Sequence, residues 1–278
     1  MNKRYVVAVS GGVDSIVLLD KLVHTPGLDL VVAHFDHGIR DDSSDDARFV
    51  QQVARDYGLP CEVGREELGK QASEELARNR RYEFLRSVAT KHHARIATAH
   101  HADDIIETIA INLTRGTGWR GLAVLDSDIY RPLLDMSKSE IIDYAKSHNL
   151  IWHEDSTNAS DAYLRNRLRQ KAGALTDDIK RQLLALRAQQ TYLKQDIDDE
   201  VKNLVSDGPE HSRYFYTHID PLSAGECLRA VTSMRLTRPQ LHRSLHMIKT
   251  ARPGTSYQAG SGVEFRFTSR NFIVELIK

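Results

Sequence analysis

The sequence is poor in cysteine and tryptophan, with two of each in 278 residues. Cys61 and Cys227 are too few and too far apart for a disulfide framework, a zinc knuckle or a Cys-x-x-Cys redox or cluster site. Such sparse thiols fit a reducing compartment, so a cytoplasmic chain is expected. No run approaches the roughly 20 consecutive apolar residues that a membrane span needs, and Met1 to Val9 passes straight into a core-strand pattern. The chain therefore reads as soluble and unprocessed, with no membrane partner. Net charge is lacking too: 38 Lys and Arg balance 38 Asp and Glu, and 41% of residues are apolar. That is ordinary globular usage and excludes global disorder or a fibrous chain. The balance hides an asymmetry. From Gly208 to Lys278 ten Lys and Arg face five acids, an excess of +5 that leaves −5 on the first 207 residues. A locally basic surface can meet a polyanion, although an excess this small favours nucleic acid only slightly.

What is present is an alternation of short apolar runs and helical spacings. The length suits one large or two modest domains. Tyr5 to Val9 reads as a buried strand, followed by a glycine turn and helical spacing from Ile16 to Val23. Leu30 to Phe35 is a second strand, after which Phe49, Val50, Val53, Ala54 and Tyr57 mark one face of a helix closed by Gly58. Cys61 to Val63 is a weak strand. Glu74 to His92 reads as a long helix with Leu76, Phe84, Leu85 and Val88 on one side, Ala94 to Ala99 as a strand, and Asp103 to Thr114 as a helix. This order predicts an α/β fold, a doubly wound parallel sheet covered on both faces, with ligands at the carboxyl ends of its strands. Ser137-Lys-Ser-Glu140 is a capping box, and a long helix from about Asp177 to about Val205 links to a second, smaller α+β domain. There, helices near Ala224–Arg235 and Gln240–Ala251 precede a hairpin in which Val263, Phe265 and Phe267 alternate before Phe272, Val274 and Leu276.

Ser10-Gly11-Gly12-Val13-Asp14-Ser15 lies between the first strand and the first helix, where backbone amides and the positive helix end converge on an anion. It has neither the Gly-Lys-Ser/Thr of a Walker loop nor the Gly-x-Gly-x-x-Gly of a dinucleotide fold, so its phosphate chemistry differs from both. The plain alternative is a tight turn in which Asp14 merely favours the first helical turn. A position after a buried N-terminal strand and at a helix start favours anion binding.

The hexapeptide resembles the signature of N-type ATP pyrophosphatases, PP-loop enzymes that grip the pyrophosphate of ATP and leave an adenylated carbonyl on the acceptor. Further segments narrow the resemblance: Ala33-His-Phe-Asp-His-Gly-Ile-Arg40, Glu75-Leu-Ala-Arg78, Thr98-Ala-His-His-Ala-Asp-Asp104 with Glu107-Thr108, and Arg115-Gly-Thr-Gly118. Arg131-Pro-Leu-Leu134, Asp155-Ser-Thr-Asn158 and Arg165-Asn-Arg-Leu-Arg169 continue it. Over about the first 170 residues this order resembles the tRNA(Ile)-lysidine synthetase family. The resemblance implies an adenine nucleotide alpha hydrolase-like catalytic domain over 1–173, a linker helix over 174–206 and a small tRNA-binding domain over 207–278. The chain would be a short form without the tail domain of longer members. It also implies the reaction. The wobble cytidine of tRNA(Ile) with a CAU anticodon is adenylated by ATP, and free L-lysine then displaces AMP to give lysidine. ATP is co-substrate and Mg²⁺ the expected ion; a homodimer is left open.

By the same resemblance Asp14, Asp104 and His100 form the catalytic group, and Ser10, Gly11, Gly12, Val13, Asp14 and Ser15 bind ATP. Asp14 has two candidate roles, Mg²⁺ ligand or contact for lysine's ammonium. Asp104 would help hold lysine, although Asp104-Ile-Ile-Glu107 also suits a helix start. Free lysine, with a pKa of about 10.4, begins protonated, so a nearby carboxylate or His must take its proton as the C–N bond forms. Successive strand residues face opposite sides, so one of His100 and His101 reaches the cleft; His100 is chosen by resemblance, as a base or as a nucleotide contact. Arg78, Arg115, Arg165 and Arg169, with Arg167, would contact the adenylated intermediate or tRNA through forked donors. Asp41, Asp42, Asp45 and Asp46 read as a solvated helix start and not as a metal site. Trp119, Trp152 and Tyr163 read as core. The nearest rival is a tRNA thiolase, which typically needs paired cysteines that this sequence lacks. An ammonia-using synthetase of a small molecule and a non-catalytic ATP-sensing RNA-binding protein are further readings.

Overall fold

Alternate residues of the first strand face opposite sides, and both sides are apolar: Tyr5 and Val7 join one core cluster, Val6 another. Such a strand needs helices on both faces, which parallel crossovers supply. The computed structural model describes residues 3–38, 43–69, 72–153, 175–205 and 208–277, and the chain divides into two compact units, Met1–Gln190 and Thr191–Lys278. The first unit runs β1 (Lys3–Ala8), α1 (Val13–Val23), β2 (Leu28–Asp36), α2 (Ser43–Asp56), β3 (Cys61–Arg65), α3 (Glu74–Lys91), β4 (Arg95–Ala97), α4 (Ala102–Thr114) and α5 (Lys138–Ser147). A further helix, α6 (Asp177–Leu204), passes from it into the second unit.

The sheet order is β3-β2-β1-β4, every pair parallel. Ile16, Leu18 and Leu19 of α1, Val50 and Ala54 of α2, and Ile141 and Ala145 of α5 bury one face. Tyr82, Leu85, Val88 and Ala89 of α3 bury the other. Leu76 is not on that inner face: it is 41% exposed. It stands nine residues before Leu85, which at 100° per residue is about half a turn out of phase. β4 is shorter than the apolar run, and Tyr130 pairs along its outer side, donating its N–H to Ile96 O (2.8 Å) and accepting from Thr98 N–H (3.0 Å). The strand order reverses between β1 and β4, and in open α/β sheets ligands bind in the crevice at the carboxyl ends of such a switch point.

A buried carboxylate ties three helices together behind this crevice. Asp20 of α1 accepts from Tyr57 Oη (2.7 Å), just past α2, and from Tyr144 Oη (2.8 Å) of α5. Burial and the carboxylate raise both phenols, Tyr144 to about 12. The start of α5 is the expected capping box, with Ser137 N–H on Glu140 Oε2 (2.7 Å) and Glu140 N–H on Ser137 Oγ (3.3 Å). Asp20 thereby links α1 to α5 and to the end of α2.

The second unit has β5 (Glu210–Ser212), α7 (Arg213–His218), α8 (Pro221–Val231), α9 (Arg238–Thr250), β6 (Ser256–Gly260), β7 (Val263–Phe267) and β8 (Asn271–Leu276). Its antiparallel sheet has the order β5-β8-β7-β6. The alternation read in the sequence is present except at its end: Val263, Phe265 and Phe267 are buried with Phe272 and Val274 against Cys227, Leu228 and Ile248, whereas Leu276 is exposed. Helix α8 starts earlier than its apolar pattern because Asp220 Oδ1 accepts from Leu222 N–H (2.9 Å), with Pro221 at the first helical position. Arg213 serves the opposite end of α9, donating to Ile248 O (2.7 Å) and Ala251 O (2.8 Å), carbonyls that a helix terminus leaves open. Among the described residues no helix is long and apolar enough to cross a membrane.

Candidate active site

The turn after β1 owes its shape to a glycine and a buried serine. Gly11 has φ +97°, a left-handed backbone strained for any side chain, and a Cβ there would stand 3.5 Å from the Phe49 ring. Ser15 Oγ accepts from Ser10 N–H (3.1 Å) and Gly11 N–H (3.2 Å) and donates to Gly12 O (2.9 Å). Its hydroxyl therefore shapes the loop from inside. Gly12 is the N-cap of α1, so the amides of Val13 and Asp14 have no carbonyl one turn earlier. With the helix dipole behind them, they are the donors available to an anion.

Beside the loop, the starts of α1 and α4 bring three carboxylates around one imidazole, and the start of α5 adds a lysine. Lys138, first residue of α5, donates from Nζ to Asp14 Oδ1 (2.5 Å) and from its backbone N–H to Asp103 Oδ2 (2.8 Å). His101, the N-cap of α4, has Nε2 at 3.5 Å from Asp104 Oδ2 and 4.0 Å from Asp14 Oδ2, and Nδ1 at 3.6 Å from Asp103 Oδ2. These are ion-pair distances, and the buried Nδ1 makes no hydrogen bond among the described residues. Burial pulls the His101 pKa down, but Asp103, Asp104 and Asp14 outweigh it and the value is raised. Asp103 lies well below the usual carboxylate range, held there first by His101 and, against burial, by the Lys138 amide and Lys180, whose Nζ is 3.6 Å away.

A cleft of about 400 Å³ opens where β1, β2 and β4 end, with Ser10, Asp14, Asp36, Asp46, Arg81 and His100 among its walls. His100 is the cleft-facing member of the histidine pair, its Nδ1 2.8 Å from Thr98 Oγ1. Burial drives its pKa down to about 4; Arg131, Arg78 and Arg81 add to that against the pull of Asp104. Of the arginines that act on His100, Arg81 lines the cleft. Arg78 and Arg81 lie over the Tyr82 ring, 5.5 and 5.7 Å from its centre. Arg131 is fixed by bonds to Leu125 O (3.0 Å) and Ile129 O (3.2 Å), and burial lowers its pKa. Asp36 accepts from Gly38 N–H (2.8 Å) and pairs with Arg65 (3.3 Å).

The residues singled out in the sequence fall into three groups. Ser10 to Ser15, His100 and Asp104 converge at the switch point, with Arg78 close enough to act on His100. Asp104 does the helix-start work that its position suggested, accepting from His101 N–H (2.9 Å), while its carboxylate also faces the imidazole. Arg115 is exposed at the far end of α4, about 16 Å along the helix from Asp104 at 1.5 Å per residue. Arg165, Arg167 and Arg169, with Asp155 to Asn158, Asp41, Asp42 and Tyr163, lie outside the described residues. Asp46 stands in the first turn of α2 as read, but it is not simply solvated: it lines the cleft and accepts from His153 Nδ1 at 2.8 Å. Asp45, exposed and paired with Arg48, fits that description.

Sequence reasoning missed Lys138, which it read only as part of a capping box, and Arg81, Asp103 and His153. Glu107, read only as part of a motif and as a helix-start acid, is a carboxylate only 2% exposed and engaged within the fold. A signal was available for Glu107, an acid one helical turn after Asp104 among inward isoleucines. None was available for His153, whose partners are distant in sequence.

The model of the PP-loop domain, an ATP-binding family, matches residues 1–175. The tRNA(Ile)-lysidine synthase of Exiguobacterium sibiricum is 39% identical over 181 residues, covering 63% of this chain and 44% of that protein. That of Thermotoga maritima is 34% identical over 236 residues, covering 77% and 55%. The chain thus spans about half the length of these curated relatives. Among solved structures, the U34-tRNA thiolase NcsA from Methanococcus maripaludis, with its [4Fe-4S] cluster, superposes with a TM-score of 0.55 at 16% identity. The match covers 69% of this chain and 72% of that one, a likeness of fold. With the matched segment spanning the loop, the carboxylate cluster and the cleft, this chain belongs to the PP-loop domain family.

Proposed function

We propose that this chain ligates free lysine to the wobble cytidine of a CAU-anticodon tRNA(Ile), with ATP consumed to AMP and pyrophosphate. The observation that carries this reading is the meeting, at one switch point, of a phosphate loop with a carboxylate group suited to a cationic amine. In the first step the cytosine carbonyl oxygen attacks the α-phosphorus and pyrophosphate leaves. The Val13 and Asp14 amides and Lys138 neutralise charge on the departing phosphates. In the second step the lysine ε-amine attacks the adenylated ring carbon, AMP departs with the former carbonyl oxygen, and the amine gives up its protons.

The carboxylates of Asp14 and Asp104 would bind the ammonium, and His101 between them would pass its proton on. His100 has a different task. An imidazole with a pKa of about 4 is neutral at pH 7 and a weak base, so it serves as an uncharged nucleotide contact. Mg²⁺ usually binds through one or two carboxylates plus substrate phosphates, and Asp14 at the loop mouth would be the protein ligand in the first step, before lysine's ammonium takes its place on that carboxylate. Bound there, the ion would offset phosphate charge. A wobble base lies in a single-stranded loop, so drawing it into a pocket breaks little base pairing. The exposed arginines of the second unit, Arg238 and Arg243, would hold the tRNA backbone. Cys61 and Cys227 belong to different units and burial raises both thiols, which disfavours the thiolate that thiolation needs.

The test combines protein, ATP, Mg²⁺, lysine and unmodified tRNA(Ile). Pyrophosphate and AMP release that depends on both tRNA and lysine is expected; ADP formation, or release indifferent to lysine, would overturn the reading.

A further inference from the structure

One side chain near the phosphate loop has no part in the chemistry above, yet it is held on several sides while its backbone bonds to the loop. His153 donates its backbone N–H to Gly11 O at 3.0 Å, the carbonyl of the left-handed residue. Its ring is held twice: Nδ1 lies 2.8 Å from Asp46 Oδ1, and the plane stacks on Phe49 at 4.1 Å and 21°. Phe49 is also the ring facing the bare Cα of Gly11. The glycine, Phe49 and His153 therefore form a stack, which α2 locks through Asp46.

We infer that His153 is a positioning residue for the phosphate loop, holding Gly11 in its left-handed turn so that the amides beyond it stay aimed at phosphate. The inference rests on the phosphate-loop reading above. A flexible loop must be ordered when phosphate binds, and a preformed one need not be, so the strut strengthens binding of ligands that carry outer phosphates and of those alone. The Asp46 bond is a partly exposed one involving a carboxylate, worth about 1 kcal/mol, and at about 1.4 kcal/mol per tenfold its loss weakens such ligands about fivefold.

The experiment measures equilibrium affinities of the full chain for ATP, inorganic pyrophosphate and AMP in wild type, His153→Phe, which keeps the stack and loses the donor, and His153→Asn, which keeps a donor and loses the stack. His153→Ala removes both. The expected result is a parallel loss of ATP and pyrophosphate affinity, about fivefold in each single-interaction variant and larger in His153→Ala, with AMP affinity unchanged. Far-ultraviolet circular dichroism identifies any variant that fails to fold, and the two partial variants then carry the comparison. Equal losses for AMP and pyrophosphate, or no loss in any variant, would overturn the strut while leaving the phosphate-loop reading intact. A wild type that binds AMP as tightly as ATP and pyrophosphate not at all would overturn the phosphate-loop reading, and the strut with it.

Discussion

Replacing His100 with Asn tests the electrostatics of the cleft. The imidazole titrates at about 4 in the folded protein, against an ordinary value of about 6.5. Between those values the unfolded chain binds a proton there and the folded one does not. Stability therefore rises with pH across this window, is complete above about 6.5, and is lost as pH falls through it. At about 1.36 kcal/mol per unit, the full window is worth about 3 kcal/mol. Asn cannot titrate, yet it keeps a polar group near Nδ1 that can bond to Thr98 Oγ1. Urea unfolding of both proteins at pH 7 and pH 4.5 isolates the contribution, because every other titrating group is shared. Wild type should lose about 2 to 3 kcal/mol more than His100→Asn between the two pH values. Equal losses would mean that the imidazole titrates as in water, and its assignment as a neutral nucleotide contact would fail.

Three other perturbations follow from the same geometry. Ser15→Ala leaves the Ser10 and Gly11 amides and the Gly12 carbonyl without their shared partner. It should cost about 1 to 3 kcal/mol in chemical denaturation and weaken ATP binding in titration calorimetry; an unchanged midpoint and affinity would contradict the loop's internal bracing. Lys138→Met removes the cation on Asp14 and should lower ATP affinity about tenfold while AMP affinity holds, as for a lost charge-assisted contact. Arg238→Ala with Arg243→Ala should weaken tRNA binding and flatten its salt dependence without touching ATP affinity, measured by filter binding across salt concentrations.

The parallel sheet was legible because β1 and β2 are apolar on both faces, a pattern that a strand covered by helices on each side requires and a half-solvated strand does not. Helix starts were legible where the signal was local, as with the Ser137 box. They were missed where it was outweighed: Asp220-Pro221 marks the start of α8, but the apolar spacing begins later. The edge strands β5 and β6 are short and polar, so no hydrophobic alternation announces them. In the site, the loop and the paired histidines could be read because their residues are contiguous. Lys138 meets Asp14 across 124 positions and His153 meets Asp46 across 107, pairings that only the fold creates. The face of α3 is a plainer lesson. Leu76 is apolar and lies in the helix, but the helical phase puts it on the solvent side.

The proposed chemistry requires nucleotide phosphates on the turn from Ser10 to Ser15. A crystal structure of the protein with a non-hydrolysable ATP analogue tests it most directly. The β- and γ-phosphates are expected against the Val13 and Asp14 amides, with the adenosine in the cleft beside His100. An analogue bound away from that turn, or lying with its phosphates turned out of the switch point, would contradict the account.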